Sequence, residues 1–158
     1  MFVWVKWGVS IFGDVICARR YCATCPYITN GLTSYTFYAT GETRSITSHI
    51  TSNTKNVIYM VQWNRCNLQY IGETKRRLKD RFNENRRAVD KTNIKSKPTT
   101  VSEHFFSHSN NSHTDMQLIP LEKIRSSRDS VRKARESHLI GKAMTLEPHG
   151  LNRRDELL

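Results

Sequence analysis

The hydrophobic pattern of this chain changes character near residue 56. Val57-Ile-Tyr-Met-Val-Gln-Trp63 is a dense run of β-branched and aromatic residues, and Leu68-Gln-Tyr-Ile71 is a second. The four residues between them, Asn64-Arg-Cys-Asn67, suit a hairpin loop. If Trp63 pairs with Leu68, Val61 falls opposite Tyr70, and Tyr59 and Tyr70 take diagonal positions on one face. Two phenols on one face are either core or a site. Gly72 ends the second run, and Thr74 can cap a following helix on which Leu78, Phe82 and Val89 form one apolar face. Arg77 and Arg81 stand four apart beside that face, where they can lean over the strand ends.

On either side the pattern is weaker. The first 16 residues are apolar but broken by Lys6 and Asp14, which argues against a signal peptide and leaves a buried strand or a stretch not native to the domain. Residues 33–40 and 43–47 flank Gly41 and predict a hairpin. Downstream, 92–100 reads as a linker and Val101–Phe106 as a short helix. Gln117-Leu-Ile-Pro-Leu121 reads as a third strand, near a sheet edge because of Pro120. Asp129 or Ser130 opens a helix to about Ala143, with Val131, Ala134, His138 and Leu139 as its inner stripe and Glu136 beside it. These elements predict an α/β (α+β) fold: a small, three-stranded, mainly antiparallel sheet flanked by helices. A Cys-containing, β-rich segment over 1–50 would precede a main domain over 51–155.

Composition narrows the function classes. The 158 residues carry 25 Lys plus Arg against 14 Asp plus Glu, a net charge of +11. Eleven of the basic residues and only four acids fall between Arg65 and Lys97, so +7 of that charge sits on one segment. A polyanion is the expected partner, with nucleic acid ahead of a membrane surface. Lys75, Arg76, Lys79, Arg86 and Arg87 are the candidate backbone contacts. The competing reading is a solvated helix face with pairing around Asp80 and Glu84. No run of about 18 apolar residues predicts a membrane span.

The four cysteines do not form a secreted disulfide pattern. Cys22-Ala-Thr-Cys25 has the gap that places two thiolates on one Zn²⁺, with Cys17, Cys66 or His49 as further ligands; ordinary reduced thiols are the other reading. His104, His108 and His113 invite a metal, but with no carboxylate or thiol beside them in sequence they read as packing and loop residues.

Taken in order, Val57-Ile-Tyr59, Tyr70-Ile-Gly72, Arg81, Glu136 and Asn152 resemble the GIY-YIG endonuclease family over residues 55–153. The wording VIYMVQWNRCNLQYIGETKRRLKDRF, with RESHLI and PHGLN downstream, is similar to the GIY-YIG domains of Penelope-like retroelements. The resemblance implies a phosphodiesterase acting on DNA and dependent on Mg²⁺ or Mn²⁺. Glu136 would hold the cation, Tyr59 would help deprotonate the attacking water and Tyr70 would orient water or phosphate. Arg81 would neutralise phosphate charge, with Gly72, Arg77 and Asn152 supporting. Hydrolysis would proceed without a covalent intermediate, in a nuclear or cytoplasmic protein, with a reverse transcriptase encoded upstream as a further partner and no membrane.

The sequence departs from that pattern in places. Val57 replaces the usual glycine, Glu73 places an acid after Gly72, and Asn85 stands where a histidine is expected. Ser52 and Trp63 occupy positions often held by cysteine, which counts against zinc. These departures motivate the alternative of a catalytically decayed nucleic-acid-binding module.

Overall fold

The structure, a computed structural model, describes residues 22–29, 31–89, 99–107 and 113–157. The expectations for the first 16 residues, for Cys17, for most of the linker and for His108 lie outside the described residues. In chain order come β1 (Ser34–Thr36), β2 (Thr43–Ser45), β3 (Val57–Trp63), β4 (Gln69–Thr74), α1 (Leu78–Val89), α2 (Thr100–Ser107), β5 (Met116–Lys123) and α3 (Asp129–Ala143). The fold is α+β. β3 lies at the centre of an antiparallel sheet of order β4-β3-β5, and β1 pairs with β2 in a separate hairpin.

β3 carries side chains to two cores, which explains why its apolar run is unbroken. Val57, Tyr59, Val61 and Trp63 join Tyr70 of β4, Leu78, Phe82 and Val89 of α1, and Val101 and Phe105 of α2. Ile58 and Met60 join Ile71, Ile119 and Leu121, Leu139, Ile140 and Ala143 of α3, and Tyr35 and Phe37 of the hairpin region. The hairpin is further tied to β4 by Gln69, whose Nε2 donates to the Thr36 carbonyl at 2.8 Å while its Oε1 accepts from the Tyr38 N–H at 2.9 Å.

The β3–β4 register puts Val61 opposite Tyr70 and Tyr59 opposite Gly72, as the hairpin reading requires. β5 is an edge strand, so Pro120 deprives no third strand of a donor. Its register slips between Ile58↔Glu122 and Tyr59↔Pro120, leaving Leu121 as the extra residue of a bulge.

Three local expectations are corrected. Gly72 does not end β4, which continues to Thr74. Thr74 does not cap α1; its Oγ1 accepts from the Arg76 N–H at 3.1 Å and closes a turn before the helix. The carbonyls of Thr54 and Ser52 receive the N–H groups of Leu78 and Lys79 instead, satisfying donors that a helix N-terminus otherwise leaves open. On α3, Val131, Ala134 and His138 face outward, and the buried stripe is Arg132, Leu139, Ile140 and Ala143. Arg132 takes the inward position because acidic partners meet it there.

Candidate active site

Tyr59 comes from the middle strand and Gly72 lies directly across from it on β4. An added Cβ at Gly72 would lie 2.7 Å from the Tyr59 hydroxyl and 2.9 Å from Cε1 of Tyr70. Both phenol rings therefore pass over one bare backbone position, and only glycine leaves room for them. Tyr59 is 0% exposed and Tyr70 9%.

Arg81 reaches this point from the first turns of α1. Its Nε–H donates to the Tyr59 hydroxyl at 3.1 Å, and its Nη1 meets Glu84 Oε2 at 3.1 Å. Burial pushes the Tyr59 phenol above its usual range, and the Arg81 charge only partly offsets this. The phenol is thus neutral at physiological pH. Arg81 is raised above its ordinary range, first by the charge that Tyr59 carries once ionised, against its own burial, with an ionised Tyr70 and the Glu84 hydrogen bond adding to it. The sequence places Arg77 and Arg81 four apart, both able to lean over the strand ends. Arg77 instead turns to Asp80, with its Nε 2.8 Å from Oδ2.

Glu136, half-buried on α3, contributes a negative charge felt at Tyr59. Four of the expected residues thus influence one another: Tyr59, Tyr70, Arg81 and Glu136. Asn85, one turn after Arg81, joins them. It is 1% exposed and lies beside the Tyr59 phenol, where its amide favours the ionised form, yet its Nδ2 makes no hydrogen bond among the described residues.

Asn152 does a different job. Its Oδ1 accepts from the Ile71 N–H at 2.9 Å and its Nδ2 donates to the Ile71 carbonyl at 2.8 Å. One side-chain amide replaces a strand partner along the open edge of β4, beside the residue that precedes Gly72. Thr145 Oγ1 donates to the same Asn152 oxygen at 2.8 Å.

Arg132 is the residue that sequence reasoning missed. It is 2% exposed; its Nε donates to Glu73, its Nη2 to Asp129 at 2.9 Å and its Nη1 to Asn56 at 3.4 Å. This buried cation clamps α3 to the ends of β3 and β4, one helical turn before Glu136. Glu73, unusual in the sequence pattern, is its partner. The available signal was weak: an arginine four residues before Glu136, with acidic partners distant in sequence.

Among the described residues of the basic segment, Arg65, Lys75, Arg76, Arg77 and Arg81 form ion pairs. Arg65 meets Asp115, Lys75 meets Asp129 and Arg76 meets Glu84. Lys79 is half-buried, Arg87 is exposed, and Arg86 is half-buried with its Nε making no hydrogen bond among the described residues.

Among the described residues no group of three or more His, Cys, Asp or Glu could hold a metal. One half-buried carboxylate, Glu136, fits a hard cation such as Mg²⁺, which keeps several waters and needs only one or two carboxylates beside a phosphate. The thiols of Cys22 and Cys25 lie 3.6 and 3.9 Å from Ser52 Oγ. Ser52, at a position often held by cysteine, brings a hydroxyl rather than a zinc-binding thiolate to this pair. Cys66 Sγ lies 3.3 Å from His104 Nε2, and the His104 ring packs edge-on against Trp63.

No helix among the described residues is long and apolar enough to cross a membrane. No family model matches the chain, and no curated protein matches it. Among solved structures, it is similar to the catalytic domain of the homing endonuclease I-TevI, with a TM-score of 0.49 and 19% identity over 62% of this chain and 97% of that one.

Proposed function

We propose that the chain is a DNA endonuclease of the GIY-YIG type, dependent on Mg²⁺ or Mn²⁺ and derived from a Penelope-like retroelement. The observation that carries this reading is the Arg81–Tyr59 hydrogen bond at 3.1 Å, formed over Gly72 beside Tyr70 and within the field of Glu136. The ordered residue pattern from Tyr59 to Asn152 supports it independently.

In this reading Arg81 is a fixed cation that meets charge developing on the scissile phosphate, in a site already shaped for it. Tyr59 is a neutral phenol at rest and accepts a hydrogen bond from Arg81. To act as a base it must first release its own proton to solvent, which further positive charge favours by lowering its pKa; the phenolate could then take a proton from the attacking water. Tyr70, across the same glycine, would orient water or phosphate. Glu136 would hold the divalent cation, which when bound polarises the phosphate and stabilises the leaving oxygen. Asn85 has an amide donor to give to an ionised Tyr59 or to the substrate.

A decayed, DNA-binding form of the same fold is the second reading. It is favoured by Asn85, an amide that cannot shuttle a proton where the pattern expects histidine. Supercoiled plasmid incubated with Mg²⁺ or Mn²⁺ separates the two. A nuclease nicks it, Glu136→Gln abolishes nicking and Tyr59→Phe strongly reduces it. Wild type that binds the plasmid but never nicks it would leave only the binding module.

A further inference from the structure

We infer that Lys55, Lys123, Arg125 and Arg128 form a second phosphate-binding surface, which takes the DNA backbone beyond the candidate active site; the inference rests on DNA being the substrate. Two segments remote in sequence meet there, beside the end of β4. The sheet register sets Val57 between Thr74 of β4 and Lys123 of β5, and the Ile124 N–H donates to the Asn56 carbonyl at 2.7 Å. Lys55 therefore stands beside the β5–α3 connection that carries Arg125 and Arg128. All four cations are exposed.

What separates this surface from the α1 segment is the state of its acids. Glu122 is bound by Arg135 at 2.8 Å. Glu73 and Asp129 are bound by the buried Arg132, and Asp129 also by Lys75. None of the four exposed cations has an ion-pair partner among the described residues. By contrast, Arg76 and Arg77 just before α1 and Arg81 on it are each matched by Glu84 or Asp80, and among the described residues of that segment Lys79, Arg86 and Arg87 are the cations outside those pairs. Unmatched charge is what a polyanion can neutralise with release of its counterions.

The position also fits. Tyr59 lies two residues inside β3 from Val57, and Gly72 two residues inside β4 from Thr74, so the Tyr59–Gly72 pair lies two residues from the same end of the sheet. From β4 to β5 is two strand spacings, about 10 Å. That is about three base-pair steps along the duplex axis. A backbone engaged at Arg81 can continue across the sheet end to Lys123 and Arg125.

The test is the salt dependence of binding to a labelled duplex, read by anisotropy without divalent metal. Lys55→Gln/Lys123→Gln/Arg125→Gln/Arg128→Gln should weaken binding at least about tenfold at ~0.1 M salt and flatten the slope of log K against log salt by about 2–4. The two double variants, Lys55→Gln/Lys123→Gln and Arg125→Gln/Arg128→Gln, should each give part of that change if the quadruple variant folds poorly. An unchanged slope and affinity would overturn the inference. So would loss of binding to phosphatidylserine–phosphatidylcholine vesicles with duplex binding intact. Nicking is scored separately: a wild type that binds through this surface without nicking sinks the nuclease reading and leaves the surface standing.

Discussion

Arg81 Nε donates to the Tyr59 hydroxyl at 3.1 Å, joining a helix cation to a fully buried phenol on the central strand. Burial raises the phenol's pKa despite that cation. A group raised on folding lends stability that is complete below its unfolded pKa and is lost as pH rises through the folded value. Unfolding free energy should therefore fall above about pH 10, and Tyr59→Phe should show a smaller fall. Urea melts from neutral to strongly alkaline pH measure both, and parallel curves would contradict the shift.

Gly72→Ala should harm both fold and site. The added methyl would meet Tyr59 and Tyr70, two buried rings with little room to retreat. Overpacking of this kind costs about 1–3 kcal/mol, visible as a lower denaturation midpoint. If the site works through those rings, nicking should fall further than the folded fraction does.

Asn85→His restores a titratable group beside Tyr59. If proton transfer limits the wild type, nicking should rise by about 10²-fold, the lower end of general acid–base effects. Asn85→Leu should gain nothing, although it removes the same unpartnered Nδ2. Equal rates for the two variants would show that Asn85 is not where proton transfer fails.

Arg132→Met leaves Glu73 and Asp129 without their shared cation. Breaking a buried pair costs about 3–5 kcal/mol, and partial exposure of the two acids brings the expectation to about 2–3 kcal/mol. Adding Glu73→Gln should recover part of it, because one of the stranded charges is then gone. Equilibrium urea unfolding of the single and double variants gives the coupling.

The strands were legible because β3 and β4 are dense in β-branched and aromatic residues, and the four-residue gap between them set the register that joins Tyr59 to Gly72. The α3 stripe was misread for a physical reason. An apolar pattern finds Val131 and Ala134, but Arg132 turns inward because Glu73 and Asn56, distant in sequence, accept its hydrogen bonds. Thr74 failed as a cap for a similar reason: the α1 donors reach carbonyls of a turn some twenty-five residues upstream. The site residues were legible as an ordered set. Which arginine meets the phenol was not, since Arg77 and Arg81 stand four apart in the sequence, and Arg77 falls just before α1 and pairs with Asp80.

Single-turnover cleavage of an end-labelled duplex in Mg²⁺, followed from about pH 6 to about pH 9.5, tests the central claim most directly. With Tyr59 as the proton acceptor, the wild-type rate climbs with pH, and Tyr59→Phe is slower by ~10² or more and loses that climb. A Tyr59→Phe variant that tracks wild type in rate and pH dependence would contradict the claim, as would wild type that binds the duplex and cleaves it at no pH.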